Sequence, residues 1–377
     1  MHRETLTPRP NWQQRVESRG FTFHTGANGP YWDESACYVF SRKEIDTLEQ
    51  ATYALHEMCM KLVQHVIDEK LFAMFLIPDG FAELVVRSWN DDEVSIYGRF
   101  DLAFNGNEPP KLLEYNADTP TALLEAAVIQ WDWLQDIDPH GDQFNSIDER
   151  LVESAWPALK EHDDSTVHFT TFQNFEEDAI TIDYLRDTAI RAGLTTASID
   201  LKQIGWDQRR GRFVDGGGNP IHRIFKLYPW EWLTRDQFGP NILRAPTSWT
   251  EPAWKMILSS KSILPLLWEL FPDSPYLLPA SFDPLPGDYV RKPVHAREGS
   301  NIQIVSGGKV IQETTGPYTD ERAVVYQQLT KLMSFDGHHA VIGSWVVNGW
   351  ACGIGVREDD TIITQNTSRF VPHRMDV

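Results

Sequence analysis

Four polar side chains in one central stretch of the sequence have the types and spacing that phosphate chemistry needs. Arg99 and Asp101 are two residues apart, and Glu114 and Asn116 repeat that spacing shortly afterwards. Carboxylate and amide oxygens are hard donors, which Mg²⁺ prefers when it also binds phosphates. A guanidinium group suits a phosphoryl oxygen, because its planar N–H groups match the geometry of an oxyanion. The spacing alone fits an ordinary ion pair on a strand surface equally well.

The alternation of residue types predicts how these side chains are brought together. Apolar and polar residues alternate around Asp101 and again over Lys111–Asn116, which indicates two short strands. Residues 105–110 between them are rich in Asn, Gly and Pro, which are typical of a turn. If the two strands pair as a hairpin, Asp101 and Glu114 point into the same space.

A helix is predicted directly after this hairpin. Asp118 or Thr119 is the expected N-cap, Pro120 stands at the first helical position, and residues 122–127 form the first turns. The N-terminus of a helix attracts anions. A helix that begins here therefore favours the phosphate interpretation over the surface ion pair.

Composition and charge exclude several classes of partner. The 377 residues carry a formal net charge of −20, which disfavours a nucleic-acid-binding face and would attract cations such as polyamines. No run approaches the roughly 18 apolar residues of a membrane helix, and no secretory leader is visible. The three cysteines, Cys37, Cys59 and Cys352, form no CxxC pair and fit a reducing compartment. We therefore expect a cytoplasmic protein without nucleic-acid or membrane partners.

Apolar periodicity and turn residues predict the remaining elements of the chain. They are an irregular arm over 1–40, a helix over 41–70 that starts with a capping box, a βαβ unit over 167–201, a helix over 258–271 around Lys261, strands over 289–294 and 302–305, a helix over 320–330, a strong hairpin over 341–357 and a last strand over 361–365.

A second group of polar residues lies in the C-terminal third of the chain. Lys292 stands on a predicted strand and precedes residues 295–301, a glycine-containing segment that we call the covering loop. Backbone N–H groups of such a loop can close over phosphates while a lysine supplies a point charge. The alternative is a surface lysine in a β-ribbon. Arg357, at the end of a strand, could reach the same site from the other lobe.

Five motifs together resemble a known family. EYNADTPT after YGRFDLAF, SKSILPLLWELFP, YVRKPVHAREGSN, YQQL (expected as a helix) and GIGVRED occur in this order. The set resembles the synthetase domain of the glutathionylspermidine synthase family, which are ATP-grasp ligases. It is most similar to stand-alone members described as acid–amine ligases, and the likeness covers essentially the whole chain.

The resemblance implies a fold and a division of the chain. The fold class is α/β (α+β), an ATP-grasp fold with a central mixed or antiparallel sheet and a mobile β-lobe that covers the phosphates. Within one catalytic unit, 1–135 would hold the metal-binding hairpin and helices, and 136–257 the βαβ lobe on the substrate side. Residues 258–335 would form the lid lobe, and 336–377 the strands that complete the ATP site.

The resemblance also implies a reaction and the residues for it. A carboxylate attacks the γ-phosphate of ATP, and an amine displaces phosphate from the acyl phosphate, which leaves ADP, phosphate and an amide. The acid would be peptide-like, such as glutathione, the amine could be a polyamine, and the cofactors are ATP and Mg²⁺. By motif, the implied residues are Asp101, Glu114 and Asn116 for the metal, Arg99 and Arg357 for catalysis, Arg99, Asp101, Lys261, Lys292, Glu298, Gly299, Gln327 and Gln328 for ATP, and Thr119, Thr121, Glu176 and Glu177 for the substrate.

Two other functions stay open. Leu227 stands where the family has a threonine that contacts glutathione, and losing a hydroxyl partner weakens recognition of a polar ligand. A catalytically silent ATP-binding regulatory protein is therefore one alternative. The 14 tryptophans suggest a carbohydrate-acting enzyme in which Asp101 and Glu114 are the paired carboxylates. That second alternative leaves Arg99 and the lysines without a role.

Overall fold

A computed structural model of the chain describes residues 1–26, 29–162, 164–172, 175–320 and 323–376. It has a mixed α/β architecture, with helices packed around several sheets, which confirms the expected class. In the described part of the chain, no helix is both long and apolar enough to cross a membrane.

The strands contribute to several separate sheets. They are β1 (His2–Thr5), β2 (Thr25–Gly26), β3 (Gly29–Pro30), β4 (Ala36–Ser41), β5 (Tyr97–Ala103), β6 (Lys111–Asn116), β7 (Val167–Thr171), β8 (Thr196–Asp200), β9 (Gly205–Asp207), β10 (Arg212–Val214), β11 (Arg223–Lys226), β12 (Ser248–Thr250), β13 (Ala280–Ser281), β14 (Tyr289–Pro293), β15 (Gln303–Ser306), β16 (Lys309–Glu313), β17 (Val324–Gln328), β18 (Met333–Phe335), β19 (His338–Val347), β20 (Trp350–Asp359), β21 (Arg369–Val371) and β22 (His373–Asp376).

The α-helices vary widely in length. They are α1 (Trp12–Glu17), α2 (Arg42–Asp68), α3 (Phe81–Asn90), α4 (Gln130–Ile137), α5 (Ile147–Arg150), α6 (Trp156–His162), α7 (Glu176–Arg191), α8 (Trp230–Leu233), α9 (Gly239–Ile242), α10 (Lys255–Leu258) and α11 (Ile263–Leu270). Glu125–Ile129 and Leu151–Ala155 are π-helical turns that run into α4 and α6, and Leu71–Phe75 and Leu201–Gln203 are 3₁₀ turns.

The central antiparallel sheet has the order β21-β20-β19-β5-β6, so the predicted hairpin β5/β6 forms one edge of it. The long helix α2 packs against β19 and β20, as its apolar stripe predicts. It begins with the expected capping box, in which Ser41 and Glu44 each satisfy the other's backbone N–H. Inside the packed face, the Thr52 hydroxyl lies 2.6 Å from the Ser344 hydroxyl.

Two further sheets flank the central one. The first has the order β12-β11-β7-β8 and is parallel, and its β7–α7–β8 unit confirms the predicted βαβ crossover. The second, which we call the lid sheet, is antiparallel with the order β13-β17-β14-β15-β16. The covering loop connects β14 to β15, so it leaves and re-enters the lid sheet.

Two predicted helices in the C-terminal half were wrong. The helix over 320–330 is replaced by β17, whose β-branched Val324 and Val325 fit a strand between β13 and β14 (residues 321–322 lie outside the described residues). The helix over 258–271 is divided into α10 and α11, with Lys261 in the turn between them. Pro265 explains the division, because its ring would clash with the carbonyl of Lys261 in a continuous helix.

The start of the helix after the hairpin was also misplaced. Helical residues begin only at Leu123, and Ala122 has a left-handed φ of 63°. Asp118 does not cap this helix, because its carboxylate accepts hydrogen bonds from Lys226 Nζ at 2.6 Å and from the Trp230 backbone N–H at 2.9 Å. A buried lysine is a stronger partner for a carboxylate than the backbone of a helix end.

Both termini are more ordered than predicted. The arm over 1–40 contains α1, and β1 and β4 form a sheet with the C-terminal β22. Trp32 in this arm is fully buried. The strand over 361–365 does not form, and β21 lies further along the chain. Instead, Ile363 packs against Ile302 and Ile304 beside the lid sheet.

Candidate functional site

The hairpin β5/β6 brings the four predicted polar side chains together. Asp101 is paired across the strands with Glu114, and Arg99 with Asn116. Arg99 donates from Nε to Asp101 Oδ1 at 2.6 Å and from Nη2 to Asp101 Oδ2 at 3.1 Å. The register shifts directly after Asp101, as in a β-bulge, which is a common device for aiming side chains near functional sites.

The backbone and an aromatic ring hold Arg99 in place. Its Nη1 donates to the Thr121 carbonyl at 2.7 Å, and its guanidinium carbon lies 5.6 Å from the centre of the Trp345 ring. Gly343 on the neighbouring strand makes room for the chain, because a Cβ there would lie 2.8 Å from Arg99 Cδ. The arginine is therefore fixed in orientation before any ligand binds.

The two carboxylates of the hairpin have different electrostatic surroundings. Burial raises the pKa of Asp101, and Arg99 opposes that rise. Burial would also raise the pKa of Glu114, but Lys261, whose Nζ lies 2.9 Å away, and Lys292 outweigh it and lower the pKa to about 2. Glu114 is therefore an anion throughout the physiological pH range.

The donor set of the hairpin fits a hard divalent cation. Asn116 Nδ2 donates to Asp101 Oδ2 at 3.0 Å and to Glu114 Oε1 at 3.4 Å, so the three groups converge on one point. Rotating the amide by a half turn exchanges its nitrogen for its oxygen at nearly the same position. Two carboxylates and one amide oxygen would then face the same point, which is the ligand chemistry that Mg²⁺ takes.

A cleft of about 810 Å³ lies between the hairpin and the lid sheet. Lys292 Nζ donates to Gln327 Oε1 at 2.7 Å and to the Leu113 carbonyl at 2.8 Å, and Gln327 Nε2 donates to the Leu112 carbonyl at 2.8 Å. Burial lowers the pKa of Lys292 to about 8. The residues that line this cleft include Asp101, Glu114, Lys261, Val290, Lys292, Gly299, Ile304, Gln327, Gln328, Thr330, Leu332, Ile362 and Thr364.

A second cavity of about 850 Å³, which we call the chamber, adjoins the cleft. The two cavities share Asp101, Glu114, Gly299 and Thr364, so the paired carboxylates stand at their junction. The predicted residues that line the chamber are Arg99, Asp101, Glu114, Asn116, Thr119, Thr121, Glu298, Gly299 and Arg357, and Leu227 lines it as well.

Sequence reasoning missed several residues of the chamber, among them Asp178, Trp232, Arg297 and Asn366. Of the acidic residues that open α7, Asp178 lines the chamber, whereas the predicted Glu176 is exposed and Glu177 is half-buried. Helical spacing could have identified Asp178, because it precedes the buried Thr181 and Ile182 by three and four residues. Burial, with Glu177 and Glu298 nearby, raises the pKa of Asp178 to about 7.

Strand β20 brings Arg357 to the chamber. Its Nη2 donates to the carbonyls of Gln365 at 2.9 Å and Asn366 at 3.2 Å, and its Nε to that of Ser368 at 3.2 Å. The guanidinium carbon lies 5.3 Å from the centre of the Tyr31 ring. Arg357 thus lines the same cavity as the hairpin residues, but the expectation that it comes from the other lobe is wrong, because β20 belongs to the same sheet as the hairpin.

The covering loop lies between the two cavities. Lys261 Nζ donates to the Ala296 carbonyl at 2.6 Å, and Ala296 and Gly299 both line the cleft. Gly299 has a φ of 68°, and a Cβ there would lie 2.5 Å from the Thr364 carbonyl oxygen. Glycine is thus required both for the backbone conformation and for the close approach.

Comparison with known proteins supports the resemblance noted from the motifs. Residues 3–376 match the family model described as "Glutathionylspermidine synthase preATP-grasp". A Haemophilus influenzae protein named "Putative acid--amine ligase" is 39% identical, and the match covers 99% of each chain. The trypanothione synthetase of Crithidia fasciculata is 30% identical, and the match covers 86% of this chain and 54% of that protein. The bifunctional glutathionylspermidine synthetase/amidase of Escherichia coli is 28% identical, with 89% of this chain and 58% of that protein covered.

The fold has a counterpart among solved structures. The glutathione synthetase-like effector GSS30 from Globodera pallida, in its apo form, superposes with a TM-score of 0.58 at 10% identity, over 90% of this chain and 89% of that one. At this identity the similarity concerns the fold alone. The family match extends over nearly the whole sequence, and the chain therefore belongs to the glutathionylspermidine synthase family of ligases.

Proposed function

We propose that this protein is an ATP- and Mg²⁺-dependent carboxylate–amine ligase that forms an amide through an acyl phosphate and releases ADP and phosphate. The observation that carries the proposal is the junction of two cavities at the carboxylates of Asp101 and Glu114. A phosphoryl group bound at this junction would face a nucleotide on one side and an acid on the other. An ATP-grasp fold with the lid sheet as its covering lobe accounts for that arrangement.

The metal would be held by Asp101, Glu114 and Asn116, and when bound it would neutralise charge on the phosphates. Lys261 and Lys292 contribute positive charge on the cleft side of the junction. Arg99 and Arg357 face the junction from the chamber, where their guanidinium groups suit the oxygens of the transferring phosphoryl group. These residues would position the phosphoryl group and stabilise its charge, which are the main contributions of a protein to phosphoryl transfer.

The chamber's charges suit an acid and an amine as the two remaining substrates. The carboxylate of the acid attacks the γ-phosphorus and ADP departs, after which the amine attacks the acyl carbon and phosphate departs. Asp178 and Glu298 would attract the ammonium form of the amine when they are ionised, and a bound ammonium group would favour that ionisation. With Gly299 seated against Thr364, the covering loop would exclude water from the acyl phosphate, which otherwise hydrolyses.

The identity of the acid depends on the apolar part of the chamber. Leu227 is buried and lines the chamber, and by the resemblance the family has there a threonine that contacts glutathione. Thr119 and Thr121 supply hydroxyl groups to the same cavity. A peptide-like acid and an amine such as a polyamine fit this mixture, and glutathione with spermidine is the first pair to test because related proteins are named for it.

The test is ADP release with Mg²⁺ and ATP in the presence of glutathione and spermidine, each alone and together, followed by other peptide acids and diamines. We expect ADP release to require both an acid and an amine, and Asp101→Asn to reduce it at least ~100-fold. Asp46→Asn is the matched control, because Asp46 accepts a hydrogen bond from Arg42 at 2.8 Å on the exposed face of α2. ADP release that needs neither substrate would contradict the proposal.

The two alternative functions make different predictions in the same assay. A silent nucleotide-binding protein would bind ATP and show no turnover with any pair of substrates. A carbohydrate-acting enzyme would work without Mg²⁺ and ATP. The geometry disfavours the latter, because both oxygens of Asp101 accept hydrogen bonds from Arg99 and the pKa of Glu114 is lowered, so neither carboxyl group is placed to give a proton to a leaving group.

A further inference from the structure

Arg297 extends from the covering loop, along the chamber, to two residues outside the loop. Its Nη1 donates to Thr119 Oγ1 at 2.6 Å, and its Nε and Nη2 donate to Glu231 Oε1 at 3.1 and 2.9 Å. The guanidinium carbon lies 5.7 Å from the centre of the Trp232 ring. One side chain of the covering loop is thus bound at three points to residues outside the loop.

The partners of Arg297 belong to two different parts of the fold. Thr119 follows β6 of the central hairpin, and Glu231 lies in α8, which follows β11 of the parallel sheet. Their separations in sequence from Arg297 are 178 and 66 residues, so the contacts are formed only by the tertiary structure. The Glu231 side chain is only 8% exposed, and charge-assisted hydrogen bonds in such surroundings are stronger than those of a surface ion pair.

Residues on either side of Arg297 face the cleft. Ala296 and Gly299 line that cleft, whereas Arg297 and Glu298 line the chamber. The loop is also attached on the cleft side, where Lys261 holds the Ala296 carbonyl, and at its C-terminal end, where the Thr314 hydroxyl donates to the Gly299 carbonyl and the Tyr318 N–H donates to Asn301 Oδ1. Arg297 supplies the attachment on the chamber side, so its release would loosen the segment at that side.

From this geometry we propose that Arg297 is a positioning residue that latches the covering loop over the bound nucleotide by holding it to Thr119 and Glu231. The proposal rests on the proposed function, because it takes the cleft as the nucleotide site. The retention of the nucleotide in the cleft then depends on Thr119, which also lines the chamber proposed for the acid. Binding in one cavity would therefore affect binding in the other before the reaction begins. The arginine acts through the loop and has no role at the reacting atoms.

The proposal is tested by the rate at which a fluorescent ADP analogue with Mg²⁺ leaves the full-length protein when chased by excess ADP, without acid or amine. We expect Arg297→Ala to accelerate release at least ~10-fold, Arg297→Lys to do so less, and Thr119→Val to give a smaller increase through loss of one hydrogen bond. The double variant R297A/E231A should release no faster than R297A, because both changes break the same latch. Arg235→Ala is the control, since Arg235 is an exposed arginine four residues after Glu231 and its removal should leave the rate unchanged.

The possible outcomes separate this proposal from the proposed function. If the wild-type protein binds no nucleotide, both proposals fail. If it binds and all variants release at the wild-type rate, the latch is refuted and the ligase proposal stands. If R297A folds poorly, T119V, which leaves the ion pair with Glu231 in place, decides the question, because an unchanged release rate would refute the latch. Equal acceleration in R235A would likewise overturn it, since the effect would then be one of charge alone.

Discussion

Glu125 is a buried carboxyl group behind the chamber, and it makes the stability of the protein depend on pH. It is 2% exposed and accepts a hydrogen bond from the Tyr31 hydroxyl at 2.9 Å. Burial, with Glu177 nearby, raises its pKa from 4.5 to about 7. The ring of Tyr31 lies next to Arg357, so this carboxyl group also lies behind a residue of the candidate site.

The raised pKa fixes the sign and size of the effect. Since the folded state favours the protonated form, the stabilisation is complete below about pH 4.5 and is lost as the pH rises to 7 and above. A change of one pKa unit is worth about 1.4 kcal/mol, so the full loss is about 3 kcal/mol. Glu125→Gln removes the titrating group and keeps an oxygen that can accept the Tyr31 hydrogen bond.

We therefore expect the free energy of unfolding of E125Q, relative to the wild-type protein, to increase by about 3 kcal/mol between pH 4.5 and pH 8.5. Urea unfolding followed by circular dichroism at several pH values measures this difference, in which the titrations of all other groups cancel. Glu57→Gln is the control, because Glu57 is exposed and pairs with Lys61 on the surface of α2. A difference between E125Q and the wild-type protein that does not vary with pH would refute the reasoning.

Two further substitutions test the covering loop and the buried core. Gly299→Ala should weaken Mg-ATP binding at least ~10-fold, as measured by calorimetry. Alanine is strained in the left-handed backbone conformation of this residue, and its Cβ would clash with the Thr364 carbonyl. An unchanged affinity would show that the loop does not close over the nucleotide. Lys255→Met should lower the free energy of unfolding by about 3–5 kcal/mol in urea, because Glu251, 2.8 Å from Lys255 Nζ and fully buried, would lose its counter-charge. A loss below about 1 kcal/mol would mean that Glu251 is neutral in the folded protein.

The parts of the fold that were predicted correctly are those in which local signals agree. Strand alternation and a Pro- and Gly-rich turn specify the hairpin β5/β6, and with it the pairing of Asp101 with Glu114. A capping box and an apolar stripe specify α2 in the same way. Because side chains alternate along a strand, the register of one hairpin was enough to predict which polar groups would meet.

The errors occur where a distant partner decides the local conformation. Asp118 has the sequence context of an N-cap, but its carboxylate accepts a hydrogen bond from Lys226, which is 108 residues away along the chain. The segment that contains Val324 has helical spacing in part, yet it completes the lid sheet between two strands. Arg297 carried no local signal of its own, because Thr119 and Glu231 become its neighbours only in the folded chain.

Lys292 and Gln327, which the motifs predict to bind ATP, also connect the lid sheet to the hairpin. Both side chains donate hydrogen bonds to backbone carbonyls of β6. These bonds set the separation between the lid sheet and the hairpin, and therefore the width of the cleft. Burial lowers the pKa of Lys292 to about 8, and the negative charge of Glu114 opposes that shift. The carbonyl that accepts the hydrogen bond from Lys292 is neutral. An anionic phosphate in the cleft would favour its charged form, so nucleotide binding and alignment of the lid sheet would strengthen each other through the same side chain.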